Sequence, residues 1–191
     1  MRPRSAKKPG NTGISYAMIV CIKDKVLSLV DNTNILPNRD SSMKKKEVKS
    51  TFYEYTSLSE LSPKQQQLVD EASKAASNAY APYSEFHVGA AVLLENGHII
   101  HANNQENSAF PSGLCAERTA VFYANSQYPN TPILALAVTA EKNGSTVKYP
   151  IPPCGSCLQV LLESEKRHQT PMEIILYGAD KIYWADSVEQ F

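Results

Sequence analysis

The amino-acid sequence predicts an α/β fold, a three-layer α-β-α sandwich with a mixed five-stranded sheet. Helical and strand patterns alternate in the order α-β-β-α-β-α-β-β, which is typical of a sheet that carries helices on its faces. A length of 191 residues suits a single domain, and 42% hydrophobic residues can fill a core of that size.

The first predicted helix covers residues 63–80. Gln65 follows Ser62 at the spacing of a capping box. Pro63 takes the first helical position, where the backbone N–H that proline lacks would have no acceptor within the helix. Apolar residues then recur at helical spacing up to Ala79.

The remaining elements follow from apolar runs separated by turn residues. Asn96-Gly97 is typical of a tight hairpin turn, and the proline-rich segment 150–153 leads into the last helix. The third strand is continuously apolar, so we expect both of its faces to be buried. The predicted strands are 88–94, 98–103, 133–140, 172–177 and 181–185, and the other predicted helices are 115–125 and 155–166.

The charge distribution divides the chain near residue 42. Residues 1–42 carry seven basic and three acidic side chains, a net charge of +4, whereas residues 43–191 carry a net charge of −4. The basic start lacks apolar periodicity, so residues 1–42 are predicted to be a disordered extension and residues 43–191 the folded domain.

Composition argues against several functional classes. A net charge of zero gives no general attraction to nucleic acid or to an anionic membrane, and no apolar run reaches the roughly 18 residues that span a bilayer. We therefore expect no nucleic-acid or membrane partner; the cytoplasmic location that we also expect belongs to the enzyme hypothesis reached below. Four cysteines are too few for a disulfide scaffold, and their positions favour metal binding.

Three of these cysteines lie where predicted helices begin. Cys115 precedes the second helix, and Cys154 and Cys157 form a Cys-Gly-Ser-Cys pair at the start of the third. The positive end of a helix dipole lowers a thiol pKa and favours the thiolate, which is the form that binds metal. Three protein ligands with one open position are the pattern of a catalytic zinc site. Glu117, two residues after Cys115, is then placed to carry a proton.

Cys115-Ala116-Glu117 followed by Pro153-Cys154-Gly155-Ser156-Cys157 resembles the zinc-dependent cytidine and deoxycytidylate deaminases of the three-cysteine type. Segments 81–91, 104–107 and 115–120 carry the same resemblance, which covers about residues 60–191. It implies a cytidine deaminase-like fold, a Zn²⁺ cofactor, a nucleoside substrate and a homo-oligomer, a tetramer or a dimer. The implied reaction converts cytidine and 2′-deoxycytidine to uridine and 2′-deoxyuridine with release of ammonia, in pyrimidine salvage.

The resemblance also implies the site residues. The zinc ligands are Cys115, Cys154 and Cys157, and Glu117 is the proton shuttle. The implied substrate contacts are Asn104 and Glu106 to the ribose 3′-hydroxyl, Phe86 to the pyrimidine ring and the backbone N–H of Ala116 to the 2-carbonyl. Taken singly, Asn104 and Glu106 are equally well explained as loop and capping residues, and Phe86 as a core residue.

The sequence departs from the family's pattern at three positions. Leu158 stands where the family commonly has Arg, so we expect Arg118 to offset the negative charge of the three thiolates. Phe110 stands where the family often has Tyr. The chain also ends at Phe191, before the segment with which the family usually continues, so the catalytic domain at 43–191 is expected to be short at its C-terminus.

Two other functions stay open at this stage. One is a deaminase of another base or nucleoside analogue, such as the blasticidin type, although a nucleotide enzyme needs Arg or Lys for the phosphate. The other is a zinc-structural module with little activity, which needs a fourth protein ligand to close the metal site.

Overall fold

In the computed structural model, which describes residues 44–191, one mixed sheet separates a single helix from two others. The helices are α1 (Pro63–Ala76), α2 (Ala116–Gln127) and α3 (Gly155–His168). The strands are β1 (Tyr53–Tyr55), β2 (Phe86–Leu94), β3 (Ile99–Asn103), β4 (Ile133–Lys142), β5 (Ser145–Thr146), β6 (Glu173–Tyr177) and β7 (Ile182–Ala185).

The strand order is β1-β7-β6-β4-β2-β3, and β5 pairs with β4 outside this path. β4 and β6 are parallel, while their other neighbours run antiparallel, which confirms the predicted mixed sheet. The sheet has seven strands, however, and not five. β1 pairs with β7 across more than 120 residues of sequence, and β5 is two residues long, so neither forms an apolar run that a local pattern can reveal.

The start of α1 follows the predicted capping signal. The Ser62 side chain accepts a hydrogen bond from the Gln65 N–H, and the Gln65 side chain accepts one from the Ser62 N–H. Such reciprocal capping satisfies two backbone donors that the first helical turn leaves unpaired. The helix packs so closely on β2 that a Cβ at Gly89 would overlap the Ala72 carbonyl oxygen.

Two hydrophobic clusters fill the spaces between the layers. One lies between the sheet and the α2–α3 layer and includes Val92, Val121 and Leu161. The other lies on the α1 side and includes Leu68 and Ile175. β4 contributes alternate residues to both clusters, which confirms that its two faces are buried.

The predicted disordered extension, residues 1–42, and Cys21 lie outside the described residues. Within the part of the chain that the structure describes, no helix is both long enough and apolar enough to span a bilayer.

Candidate metal centre

The three cysteines converge because α2 and α3 both begin at the same place. Cys115 is the N-cap residue of α2 and Cys154 that of α3, and Cys157 lies in the first turn of α3. Both N-cap cysteines have extended backbone, with φ and ψ of −71° and 154° at Cys115 and of −69° and 163° at Cys154. Neither side chain caps its own helix, so their sulfurs are not engaged by backbone N–H groups.

The sulfurs are spaced as zinc requires. The Cys115 Sγ lies 3.8 Å from the Cys154 Sγ, which lies 3.4 Å from the Cys157 Sγ, and all three are within 4.8 Å of one another. A tetrahedral zinc site with Zn–S bonds of about 2.3 Å places its sulfurs about 3.8 Å apart. Three thiol groups are also a donor set that suits zinc. The residues present therefore fit the ion.

Among residues 44–191, no fourth His, Cys, Asp or Glu side chain joins this cluster. Cys154 is exposed, Cys115 is half-buried and Cys157 is fully buried. The cluster is thus accessible from the side of Cys154, whereas Cys157 anchors it in the core.

Without metal, the pKa values of the Cys115 and Cys157 thiols are shifted in opposite directions. Hydrogen bonds from the Cys157 thiol, Arg118 and Cys154 lower the pKa of Cys115 to about 5. The pKa of Cys157 is raised, because its thiol proton is held by Cys115 and because the group is buried. The Arg118 Nη2 lies 3.7 Å from the Cys115 Sγ, and its own pKa is raised by this contact. Arg118 thus places a positive charge next to the sulfurs.

Glu117 lies in the first turn of α2 and is only 5% exposed. Burial raises the pKa of its carboxyl to about 6, and the negative Cys115 thiolate acts in the same direction. A carboxyl with such a pKa can both accept and donate a proton near neutral pH.

Asn104 and Glu106, in the loop that follows β3, are hydrogen-bonded to the segment around the start of β2. The Asn104 side chain accepts the Val88 N–H at 2.8 Å and donates to the Phe86 carbonyl at 3.0 Å. One carboxylate oxygen of Glu106 accepts the N–H groups of Tyr83 and Ser84, at 2.9 Å and 3.3 Å. These side chains therefore fix the segment that leads into β2.

The same loop is joined directly to the cysteine cluster. Gln105, between Asn104 and Glu106, makes two backbone hydrogen bonds of 2.9 Å with Leu114, the residue before Cys115.

The other predicted site residues differ in burial. Phe86 is half-buried at the start of β2, and Ala116 is fully buried at the start of α2. Phe110, in contrast, is 85% exposed.

Sequence reasoning missed the support that Asn104 and Glu106 give to the backbone of the neighbouring loop. The available signal was Ala81-Pro82-Tyr83-Ser84, which breaks the helical pattern and leaves N–H groups that need acceptors. Such bonds join residues about 20 positions apart, so the local pattern does not identify the acceptor.

Comparisons with known proteins agree with this geometry. The model of a family described as the cytidine and deoxycytidylate deaminase zinc-binding region matches residues 62–171. A curated cytidine deaminase of Halalkalibacterium halodurans is 45% identical over 98 residues, covering 51% of this chain and 70% of that protein. A curated cytidine deaminase of Sporosarcina psychrophila is 48% identical over 98 residues, covering 51% of this chain and 68% of that protein.

A solved structure is similar over more of the chain. The crystal structure of cytidine deaminase from Burkholderia pseudomallei aligns with a TM-score of 0.55 and 35% identity. The alignment covers 65% of this chain and 94% of that one. The likeness therefore extends over almost the whole of that chain.

Proposed function

Because this chain belongs to the cytidine and deoxycytidylate deaminase zinc-binding family, we propose that it hydrolyses cytidine and 2′-deoxycytidine. The products are uridine or 2′-deoxyuridine and ammonia. The observation that carries this proposal is the buried Glu117 carboxyl beside three sulfurs that lie within 4.8 Å of one another. Such a set combines a metal centre with a group that can carry protons.

The direct test measures ammonia release by the zinc-loaded protein. We expect turnover with cytidine and 2′-deoxycytidine, and much less with cytosine or deoxycytidylate. Turnover of cytosine equal to that of cytidine would assign the site to a base deaminase. Absence of turnover with a full complement of zinc would support a structural zinc module.

Cys115, Cys154 and Cys157 would hold the zinc ion, which when bound lets water act as a nucleophile at neutral pH. Glu117 takes a proton from the attacking water at its carboxylate as the water oxygen bonds to C4 of the cytosine ring. The carboxyl passes this proton to the ring nitrogen, then takes the remaining proton from the hydroxyl now on C4 and delivers it to the departing amino group. The C4–N bond breaks and ammonia leaves, so the atoms of water and cytidine are all found in the products.

We propose that the other residues of the site orient the nucleoside. Phe86 packs against the pyrimidine ring, and the backbone N–H of Ala116 donates to its 2-carbonyl. Asn104 and Glu106 bind the 3′-hydroxyl, which ribose and deoxyribose share. Support comes from their position on a loop that is hydrogen-bonded to the residue before Cys115. One Glu106 oxygen already accepts two backbone N–H groups, so its other oxygen is the one assigned to the sugar.

Glu106→Gln is expected to weaken binding of the product uridine by roughly tenfold or more, because a hydrogen bond to a charged group contributes about 1.5–3 kcal/mol. Binding of uracil, which lacks the sugar, is expected to stay unchanged. The inhibition constants of both compounds in the ammonia assay measure this difference. Glu85→Gln is the matched control, because Glu85 is exposed on the same loop. Equal weakening of uridine and uracil would contradict the sugar contact.

Arg118→Ala is expected to lower zinc affinity by about 10- to 100-fold, the effect typical of residues that support metal ligands. The reason is that the Arg118 Nη2 lies 3.7 Å from the Cys115 Sγ and offsets its negative charge. Competition with a chromophoric chelator measures the affinity, and Arg118→Lys should restore part of it by keeping the charge. Unaltered zinc affinity in Arg118→Ala would reject this role.

We further propose that the catalytic domain at 43–191 acts as a homo-oligomer, a tetramer or a dimer, in the cytoplasm and without a nucleic-acid partner. Phe122 and Tyr123, two neighbouring aromatic residues of α2 that are both exposed, support association between copies, since exposed large apolar side chains that lie together are typical of an interface. Sedimentation of the purified chain measures the oligomer size.

A further inference from the structure

The segment that leads into the metal cluster is held by the turn between β6 and β7. This segment, residues 147–153, forms no helix or strand and contains three prolines before Cys154. The Ala179 N–H donates to the Val147 carbonyl at 2.8 Å, and the Asp180 N–H donates to the Lys148 carbonyl at 2.9 Å. Two hydrogen bonds thus tie the turn to the start of the segment.

Gly178 allows this contact because it has no side chain. A Cβ at Gly178 would lie 2.6 Å from the Lys148 carbonyl oxygen, 2.7 Å from the Tyr149 carbonyl carbon and 2.8 Å from the Pro150 nitrogen. These are backbone atoms, which cannot rotate away as the end of a flexible side chain can. A methyl group at this position must therefore displace the segment or the turn.

The prolines carry this constraint toward the cysteines. Pro150 and Pro153 are buried, and Pro152 between them is exposed. Each proline ring fixes its own φ, so the short connection from Pro150 to Cys154 has little freedom to absorb a displacement. Cys115 belongs to α2 and does not depend on this segment.

We propose that Gly178 is a positioning residue for the metal cluster: the β6–β7 turn fixes residues 148–150 and thereby sets Cys154 and Cys157 against Cys115. This inference rests on the proposed role of the three cysteines as zinc ligands. Gly178 touches neither zinc nor substrate and acts only through the backbone of the segment.

The test compares zinc affinity, measured by chelator competition, with the melting temperature of the metal-free protein. Gly178→Ala is expected to weaken zinc binding by roughly tenfold or more, as loss of support for metal ligands typically does. Pro152→Gly is expected to weaken it in the same direction, because it loosens the connection, and its exposed side chain leaves folding intact.

Ile182→Val is the matched control for a general loss of stability. Ile182 is buried in the same hairpin, on the α1 side of the sheet, so its truncation lowers the melting temperature while Gly178 and the three prolines stay unaltered. We expect its zinc affinity to equal that of the unaltered chain.

The outcomes separate this inference from the function on which it rests. Weaker zinc binding in Gly178→Ala and Pro152→Gly, but not in Ile182→Val, supports the inference. Wild-type affinity in either of the first two variants overturns it, as does equal weakening in all three. If Gly178→Ala fails to fold, Pro152→Gly alone decides. Failure of the unaltered chain to bind one zinc ion would instead overturn the proposed metal site.

Discussion

Glu117→Gln should abolish most of the turnover while leaving the zinc content and the fold intact. The amide cannot accept a proton from water, so kcat should fall by roughly 10²- to 10⁴-fold, the usual contribution of general acid–base catalysis. Stability should change little, because Gln has nearly the same shape. Burial also already disfavours the charged form of Glu117, as its raised pKa of about 6 indicates.

This prediction is checked by three measurements on one preparation, namely cytidine turnover, zinc per chain and melting temperature. Glu95→Gln serves as the control, because Glu95 is an exposed carboxylate beyond the far end of β2 and its removal should leave all three values unchanged. Full turnover in Glu117→Gln would end the assignment of this residue as the proton carrier.

Cys154→Ala should remove zinc and lower stability through the loss of metal. Cys154 is exposed, so its truncation leaves no cavity in the core. A ligand present at about a thousand times its dissociation constant stabilises a folded protein by about 4 kcal/mol. For a chain of this size that corresponds to a decrease in melting temperature of about 10 °C.

The role of the metal is isolated by adding a chelator. The melting temperature of the unaltered chain should fall to that of Cys154→Ala, whereas the variant itself should not respond. Cys21→Ala, which removes the fourth cysteine of the sequence, is expected to keep both zinc and the chelator response. A chelator effect of the same size in Cys154→Ala would show that another group binds the metal.

The local elements were predictable because their signals lie within a few residues of one another. The capping box of Ser62 and Gln65 determines where α1 begins, and Asn96-Gly97 forms the turn between β2 and β3 with φ of +85° at Gly97. These features depend on backbone hydrogen bonds and allowed dihedral angles, which neighbouring residues decide.

The choice of cysteines and of Glu117 came from their spacing together with the family resemblance. Cys115 and Cys154 are 39 residues apart, and only their common position at helix N-termini, with the family resemblance, indicated that they would meet. The sequence could not indicate how deeply Glu117 is buried. The raised pKa of its carboxyl follows from that burial and thus depends on the packed layers around it.

The sequence by itself determined the order of the main elements, the capping of α1 and the set of cysteines able to bind zinc. Tertiary structure alone decided that β1 pairs with β7, that Glu106 accepts the N–H groups of Tyr83 and Ser84, and that Gly178 lies against residues 148–150. These contacts join segments distant in the chain. Each contact forms only when the whole sheet is assembled. Tertiary packing, and not the neighbouring residues in sequence, decides which atoms meet a backbone N–H group or lie against a glycine.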